Sequence, residues 1–225
     1  MPFGVNFALR TFGSNLSDVN AELVSEPGNV VGYSQLLFPL QEFTETSKSQ
    51  LENIIANLSP YGNTPIAGTL KKVASDLSNA KGVQVVTLIT DGADNGGGNV
   101  LDEIKNLRNN IPGLDVRVNI VGFGIEDAYL KEKFASWAYA GGGKYYDAHD
   151  DQQFLNAVKE SILIKYIARD DDDDEFEGYI DGETIELTSG IDYKILIEGK
   201  RIKSIKPIYI DEDKTKTVLI NVAYN

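Results

Sequence analysis

The chain reads as an α/β protein. A mostly parallel sheet flanked by helices is expected over residues 1–169, an acidic linker over 170–177 and a small all-β domain over 178–225. Three observations carry this. Val83 to Thr90 is a nearly continuous apolar run rich in β-branched residues, as befits a central parallel strand buried on both faces. From there to about residue 168, strand-like and helix-like periods alternate with turn residues at the junctions, which implies right-handed crossovers in a parallel sheet. Beyond the acidic run the helical periods stop and only β-rich segments follow.

The elements follow in order. Phe3 to Phe12 alternates loosely, with Val5, Phe7 and Leu9 against Asn6, Ala8 and Arg10, and predicts a strand ending at Gly13. Ala21 to Ser25 predicts a short edge strand before the Pro27-Gly28 turn, whereas residues 28–43 show no clear period. Ser47 is placed to cap a helix carrying Leu51, Ile54, Ile55 and Leu58 on one face and stopped by Pro60. Thr64 precedes Pro65, the favoured residue at a first helical position, and Ile66, Leu70, Val73 and Leu77 then share a helix face.

After the 83–90 strand, a glycine-rich loop from Asp94 to Asn99 leads to a helix with Leu101, Ile104 and Leu107, ended by Pro112-Gly113. Leu114 to Gly122 predicts a strand, and Leu130, Phe134, Trp137 and Ala138 a helix that stops at the glycines 141–143. Lys144 to Asp147 predicts a short strand. Phe154, Leu155, Val158 and Ile162 predict a last helix running to about Ala168. In the all-β part, strands are expected at 184–187, 192–198, 201–210 and 216–222, with Pro207 at an edge or bulge.

Charge and composition exclude several functions. The formal charge of −13 divides into −5 over 1–169, −7 over 170–177 and −1 over 178–225. Neither folded part has the basic excess that phosphate neutralisation needs, which argues against nucleic-acid or anionic-membrane binding. With no cysteine there is no disulfide, thiolate nucleophile or thiolate zinc site. No apolar run approaches the roughly 18 to 20 residues needed to span a bilayer. Residues 1–13 show no basic region followed by an apolar stretch of the signal-peptide kind. The acidic run is expected to be a self-repelling, extended linker.

Thr64 and Asp91 are the candidate site residues, because both sit at loops where a parallel sheet gathers ligands, beyond the carboxyl ends of its strands. A hydroxyl and a carboxylate are hard oxygen donors suited to Mg²⁺, Mn²⁺ or Ca²⁺. Taken singly, Thr64 would be a helix cap and Asp91 a turn residue before Gly92. The wider strings are more specific. ALRTFG (8–13), GNTPIAGTL (62–70), LITDG (88–92), VGFGIED (121–127) and GGGKYYDA (141–148) come in the order found in bacterial von Willebrand factor A domains, and the chain resembles them over residues 3–168.

The resemblance implies a Rossmann-like fold and a metal-ion-dependent adhesion site. There Thr64 would be the hydroxyl ligand and Asp91 the carboxylate, direct or through a water. A protein partner's acidic side chain would complete the cation's shell. The family's Asp-x-Ser-x-Ser strand and its helix normally precede ALRTFG, and only Met1 to Phe7 precede it here. Asp18-Val-Asn20 and Ser47-Lys-Ser49 do not replace that motif. The first β–α unit is therefore expected to be missing, with Met1 an internal methionine of a longer protein. Its strand would lie between the 3–12 and 83–90 strands, and cation binding by the remaining pair would be weak or absent. A non-enzymatic, protein-binding module is the function implied. The alternatives are a non-catalytic subunit of an ATP-driven assembly such as a metal chelatase, or a metal-free structural module.

Other constellations carry less. DGADNGGGN (91–99) has acids at its first and fourth positions, not first, third and fifth, so it is no calcium loop, and backbone irregularity explains its glycines better. The glycines at 122 and 124 lack the third of a dinucleotide fingerprint. His149, the sole histidine, reads as a solvated loop residue with no serine–histidine–acid arrangement around it. Trp137, Tyr145 and Tyr146 read as packing residues.

Overall fold

A computed structural model describes residues 5–14, 21–29, 31–109, 111, 114–163, 165–170, 172–179, 193–197 and 200–201. Two compact units emerge, one formed chiefly by Phe3–Ile162 and one by Leu163–Ala223.

In the first unit, β1 (Asn6–Phe12), β2 (Glu22–Leu23) and β3 (Tyr33–Glu42) form an antiparallel sheet in the order β1-β3-β2. The central member, β3, is the strand that periodicity missed. Pro39 hides it: proline has no N–H for a ladder, and it falls where the pairing slips from Phe7↔Gln41 to Leu9↔Phe38. Between those pairs one residue of β1, Ala8, faces two of β3, Pro39 and Leu40, a bulge in which a missing donor breaks no regular ladder bond. Helix α1 (Glu45–Ala56) is capped by Thr44 rather than Ser47. Thr44 N donates to Ser47 Oγ at 3.0 Å and Ser47 N to Thr44 Oγ1 at 3.2 Å, which makes Ser47 the return arm of a capping box. Leu51 packs with Phe38 and Phe43 in a small core shared by α1 and this sheet. Ile55, expected on the same face, is 55% exposed.

The main core lies between helices and a parallel sheet of β4 (Gly82–Thr90), β5 (Leu114–Phe123) and β6 (Gly142–Ala148), in that order. The crossovers carry α3 (Val100–Asn109) and α4 (Ala128–Ala140), and α5 (Asp151–Ile162) follows β6. Ile66, Leu70 and Leu77 of the α2 region (Ile66–Asp76 and its C-cap), Ile104 and Leu107 of α3, Phe134 and Trp137 of α4, and Val116, Val118 and Ile120 of β5 are buried together. One polar residue is built into this centre. Asn119 is buried, donates to Ser161 O at 2.6 Å and accepts from Lys144 N at 2.9 Å, so both ends of its amide are paired. Thr87 Oγ1 donates to the same Ser161 carbonyl at 3.1 Å, which fixes the end of α5 to β4 and β5. Among the described residues no helix is long and apolar enough to cross a membrane.

The second unit begins earlier than its charge pattern suggested. Helix α5 stops at Ile162, not near Ala168, and Lys165–Arg169 is strand β7. It pairs antiparallel with β8 (Glu175–Tyr179) and with β9 (Lys194–Ile197), which pairs in turn with β10 (Lys200–Arg201). The acidic run is thus the turn and second strand of a hairpin rather than an extended linker. Asp170 Oδ1 accepts from Asp172 N at 3.0 Å and Asp174 N at 2.9 Å, and Asp170 N donates to Asp174 O at 3.1 Å. Aspartate bonds its own following backbone and tolerates a left-handed residue, here Asp173 at φ 65°. Local turn bonding therefore outweighs the repulsion among carboxylates that fan into solvent. Of the expected β segments, 184–187, 202–210 with Pro207, and 216–222 lie outside the described residues.

Candidate metal-ion site

The two candidate residues lie on a strand-end loop and a helix start. β4 runs in parallel register with β5 from Gly82↔Leu114 to Thr90↔Gly122, so Asp91 emerges at the carboxyl edge of the sheet. Thr90 Oγ1 donates to Gly92 O at 2.9 Å and accepts from Gly92 N at 3.3 Å, a closed turn that leaves the Asp91 side chain exposed.

Thr64 lies at the start of α2, one residue further out than expected. Pro65 occupies the cap position instead of the first helical one, and it offers no side-chain cap. The cap comes from the 91–99 loop. Asp94 Oδ1 accepts from Ala67 N at 3.1 Å, and the Asp94 carboxylate also faces the amides of Ile66 and Gly97. Asn95 grips Thr64 at two points, accepting from Thr64 N at 2.8 Å through Oδ1 and donating its own N–H to Thr64 O at 3.0 Å. Burial raises the Asp94 carboxyl above its ordinary range, against the opposing effect of those amide bonds and of Lys133.

The glycines of both strings serve this close approach. A Cβ on Gly96 would stand 2.5 Å from Pro65 Cβ, and Gly97 and Gly98 have φ of 82° and 85°. Backbone irregularity is indeed the reason for that loop's composition. Gly68 admits the chain at Val24, whose carbonyl carbon would be 2.7 Å from an added Cβ.

Thr64 and Asp91 therefore belong to two loops stapled by hydrogen bonds. Among the described residues, neither the Thr64 hydroxyl nor the Asp91 carboxylate enters a hydrogen bond or ion pair. In kind, such a pair of oxygens fits a hard divalent cation; in number it supplies two of about six ligands. Among the described residues no group of three or more His, Cys, Asp or Glu side chains is placed to hold a metal. Ser47 and Ser49 lie in helix α1, and Asp18-Val-Asn20 falls outside the described residues.

Two charged clusters were not foreseen. Arg10 of β1, with its side chain 8% exposed, reaches Asp76 of α2 through Nε at 2.6 Å and Nη2 at 2.9 Å. It also meets Glu22 at 3.2 Å, and Glu22 pairs with Lys72. Burial works to lower the Arg10 pKa, but Asp76 and Glu22 outweigh it and raise it. These partners lie 66 and 12 residues away, so no local pattern announces them.

His149 is an exposed loop residue as expected, and it also belongs to a second cluster. Its Nε2 is 3.2 Å from both Asp147 Oδ2 and Lys131 Nζ, and Tyr145 OH donates to Asp147 Oδ1 at 3.1 Å. Burial alone would raise the Asp147 carboxyl, yet bonds from Lys131, Tyr145 and His149 hold it below the usual carboxylate range. Tyr145 is pushed up by burial and then by the Asp147 charge. Trp137 and Tyr145 do pack as expected, each beside Phe134, with centroids 5.6 and 5.9 Å away.

Comparison with known proteins agrees with this architecture. The family profile of the von Willebrand factor type A domain matches residues 4–160. Two uncharacterized Bacillus subtilis (strain 168) proteins are similar. YwmC is 32% identical over 169 residues, covering 73% of this chain and 68% of YwmC. YwmD is 38% identical over 162 residues, covering 70% of this chain and 66% of YwmD.

Proposed function

Since the chain belongs to the von Willebrand factor type A domain family, we propose that it is a protein-binding module whose partner presents an acidic side chain to a divalent cation at Thr64 and Asp91. In this reading the chain performs no chemistry itself. The observation that carries it is a hydroxyl and a carboxylate, unengaged among the described residues, on two loops that are tied to one another at the carboxyl edge of the sheet. When bound, the cation supplies a positive charge to which a partner carboxylate can ligate. Thr64 orients one oxygen toward it and Asp91 neutralises part of its charge.

With two protein ligands the ion stays largely hydrated, so this chain alone binds Mg²⁺ or Mn²⁺ weakly. The remaining donors come, in this proposal, from an Asp-x-Ser-x-Ser strand seated between β1 and β4. Pairing supports that place: among the described residues β1 bonds only to β3, and β4 only to β5. β4 has the composition of a doubly covered central strand, yet Val83, Val85 and Val86 are half-buried and Ile89 is 42% exposed. An apolar edge of that kind calls for a partner strand.

Calorimetric titration with Mg²⁺ and Mn²⁺ tests the proposal, on this chain and on one extended by the strand. The extended form should bind at least tenfold more tightly, which corresponds to about 1.4 kcal/mol, and Asp91→Ala should abolish the gain. No binding by either form refutes metal dependence and favours the structural reading.

A further inference from the structure

Threonine at the start of a helix normally spends its hydroxyl on the first-turn amides. Thr64 does not. Its backbone N–H and C=O are both held by Asn95, at 2.8 and 3.0 Å, while the amide of Ala67 goes to Asp94 Oδ1 at 3.1 Å. The capping function has thus passed to a residue 27 positions downstream of Ala67. Asp94 lies three residues beyond Asp91 on the same loop, and Gly96 of that loop packs against Pro65 with no room for a Cβ.

We propose that Asp94 and Asn95 are positioning residues: by capping α2 from the β4 loop they free the Thr64 hydroxyl and fix it relative to Asp91. The purpose rests on the reading of Thr64 and Asp91 as ligands, but the clamp itself does not require a metal. One short segment thereby carries a ligand, the cap of the helix that presents the other ligand, and the grip on that ligand's backbone. Loosening the cap has a defined consequence, because Thr64 then turns inward to cap its own helix and ceases to be available.

Amide hydrogen exchange followed by NMR on the full chain tests this with Asp94→Ala, Asp94→Asn, Asn95→Ala and Thr64→Val. Asp94→Ala should speed exchange at Ala67 by about fivefold or more, as expected for the loss of one cap. Asp94→Asn, which keeps an acceptor oxygen, should restore most of the protection. Asn95→Ala should act at the Thr64 amide. Thr64→Val should leave Ala67 unaltered in the native background and accelerate it in the Asp94→Ala background.

Unchanged exchange at Ala67 in Asp94→Ala would overturn the proposal. So would acceleration spread evenly over the unit, including Ile120 in β5, since that marks a general loss of stability. A Mn²⁺ titration of the same samples reads the metal separately. Paramagnetic broadening at Thr64 and Asp91 should weaken in Asp94→Ala. Absence of broadening in the native chain counts against the metal reading and leaves the clamp to be judged by exchange.

Discussion

Gly68→Ala places the close approach of α2 and the β2 segment under direct test. On an open helix face this change stabilises by about 1 kcal/mol, because alanine loses less backbone entropy than glycine. Here the added Cβ would sit 2.7 Å from Val24 C and 2.8 Å from Val24 Cβ, and closer still to the Val24 carbonyl oxygen. Those atoms belong to a backbone segment, which cannot swing aside as a side-chain tip can. Relief requires the 24–25 segment to lift off α2, stretching the bonds from Val24 N and Ser25 N to Gly32 O at 3.0 and 3.3 Å. Overpacking of this sort costs about 1–3 kcal/mol, and a lost backbone bond adds about 1 kcal/mol. Set against the propensity gain, the net destabilisation is about 2 kcal/mol, or roughly 4–8 °C in Tm for a unit of this size. Urea and thermal unfolding can be followed by fluorescence of Trp137, the sole tryptophan, which is buried in the same unit. Gly92→Ala, with nothing within 4 Å of its Cβ, is the control and should be nearly neutral. If Gly68→Ala raises stability as an open helical glycine would, the contact with Val24 does not exist and the reasoning fails.

The remaining predictions concern charge. Arg10→Met should cost about 3–5 kcal/mol, because it strands Asp76, whose side chain is 11% exposed, without its cation. Adding Asp76→Leu should recover much of that loss, and a double-mutant cycle by urea denaturation measures the coupling; strict additivity would contradict the pairing. Asp147, whose folded pKa is depressed, contributes stability above its unfolded value near 3.8 that is lost as pH falls through the folded value. Asp147→Asn should therefore flatten the acid limb of Tm against pH below about pH 4, and an unchanged slope would show that Asp147 is not held by Lys131, Tyr145 and His149.

Much of the fold was legible because its signals are local. The β-branched run at 83–90, the helix faces through Ile66–Leu77 and Phe134–Ala138, and the turn residues between them report burial and direction within one element. β3 was not legible, since its pairing tolerates Pro39 only through a bulge that depends on β1. The hairpin in the acidic run was not legible either, because charge counting sees repulsion and not the Asp170 turn bonds. At the candidate site, Asp91 was nominated by its place after a strand and Thr64 by its place before a helix, each within strings resembling the family. Asp94 and Asn95 lay in plain view within DGADNGGGN, but their partners are 27 and 31 residues away.

That difference marks the division between chain and fold. Composition, period and turn chemistry are properties of neighbours, and they sufficed for the fold class; the nomination of Thr64 and Asp91 rested on the family resemblance as well. Which residue caps α2, which acid answers Arg10 and whether the Thr64 hydroxyl is free are settled by contacts between distant segments. A hydrogen-bond donor accepts whichever acceptor the packed chain delivers, so only the tertiary arrangement could hand the cap to Asp94 and leave Thr64 unspent.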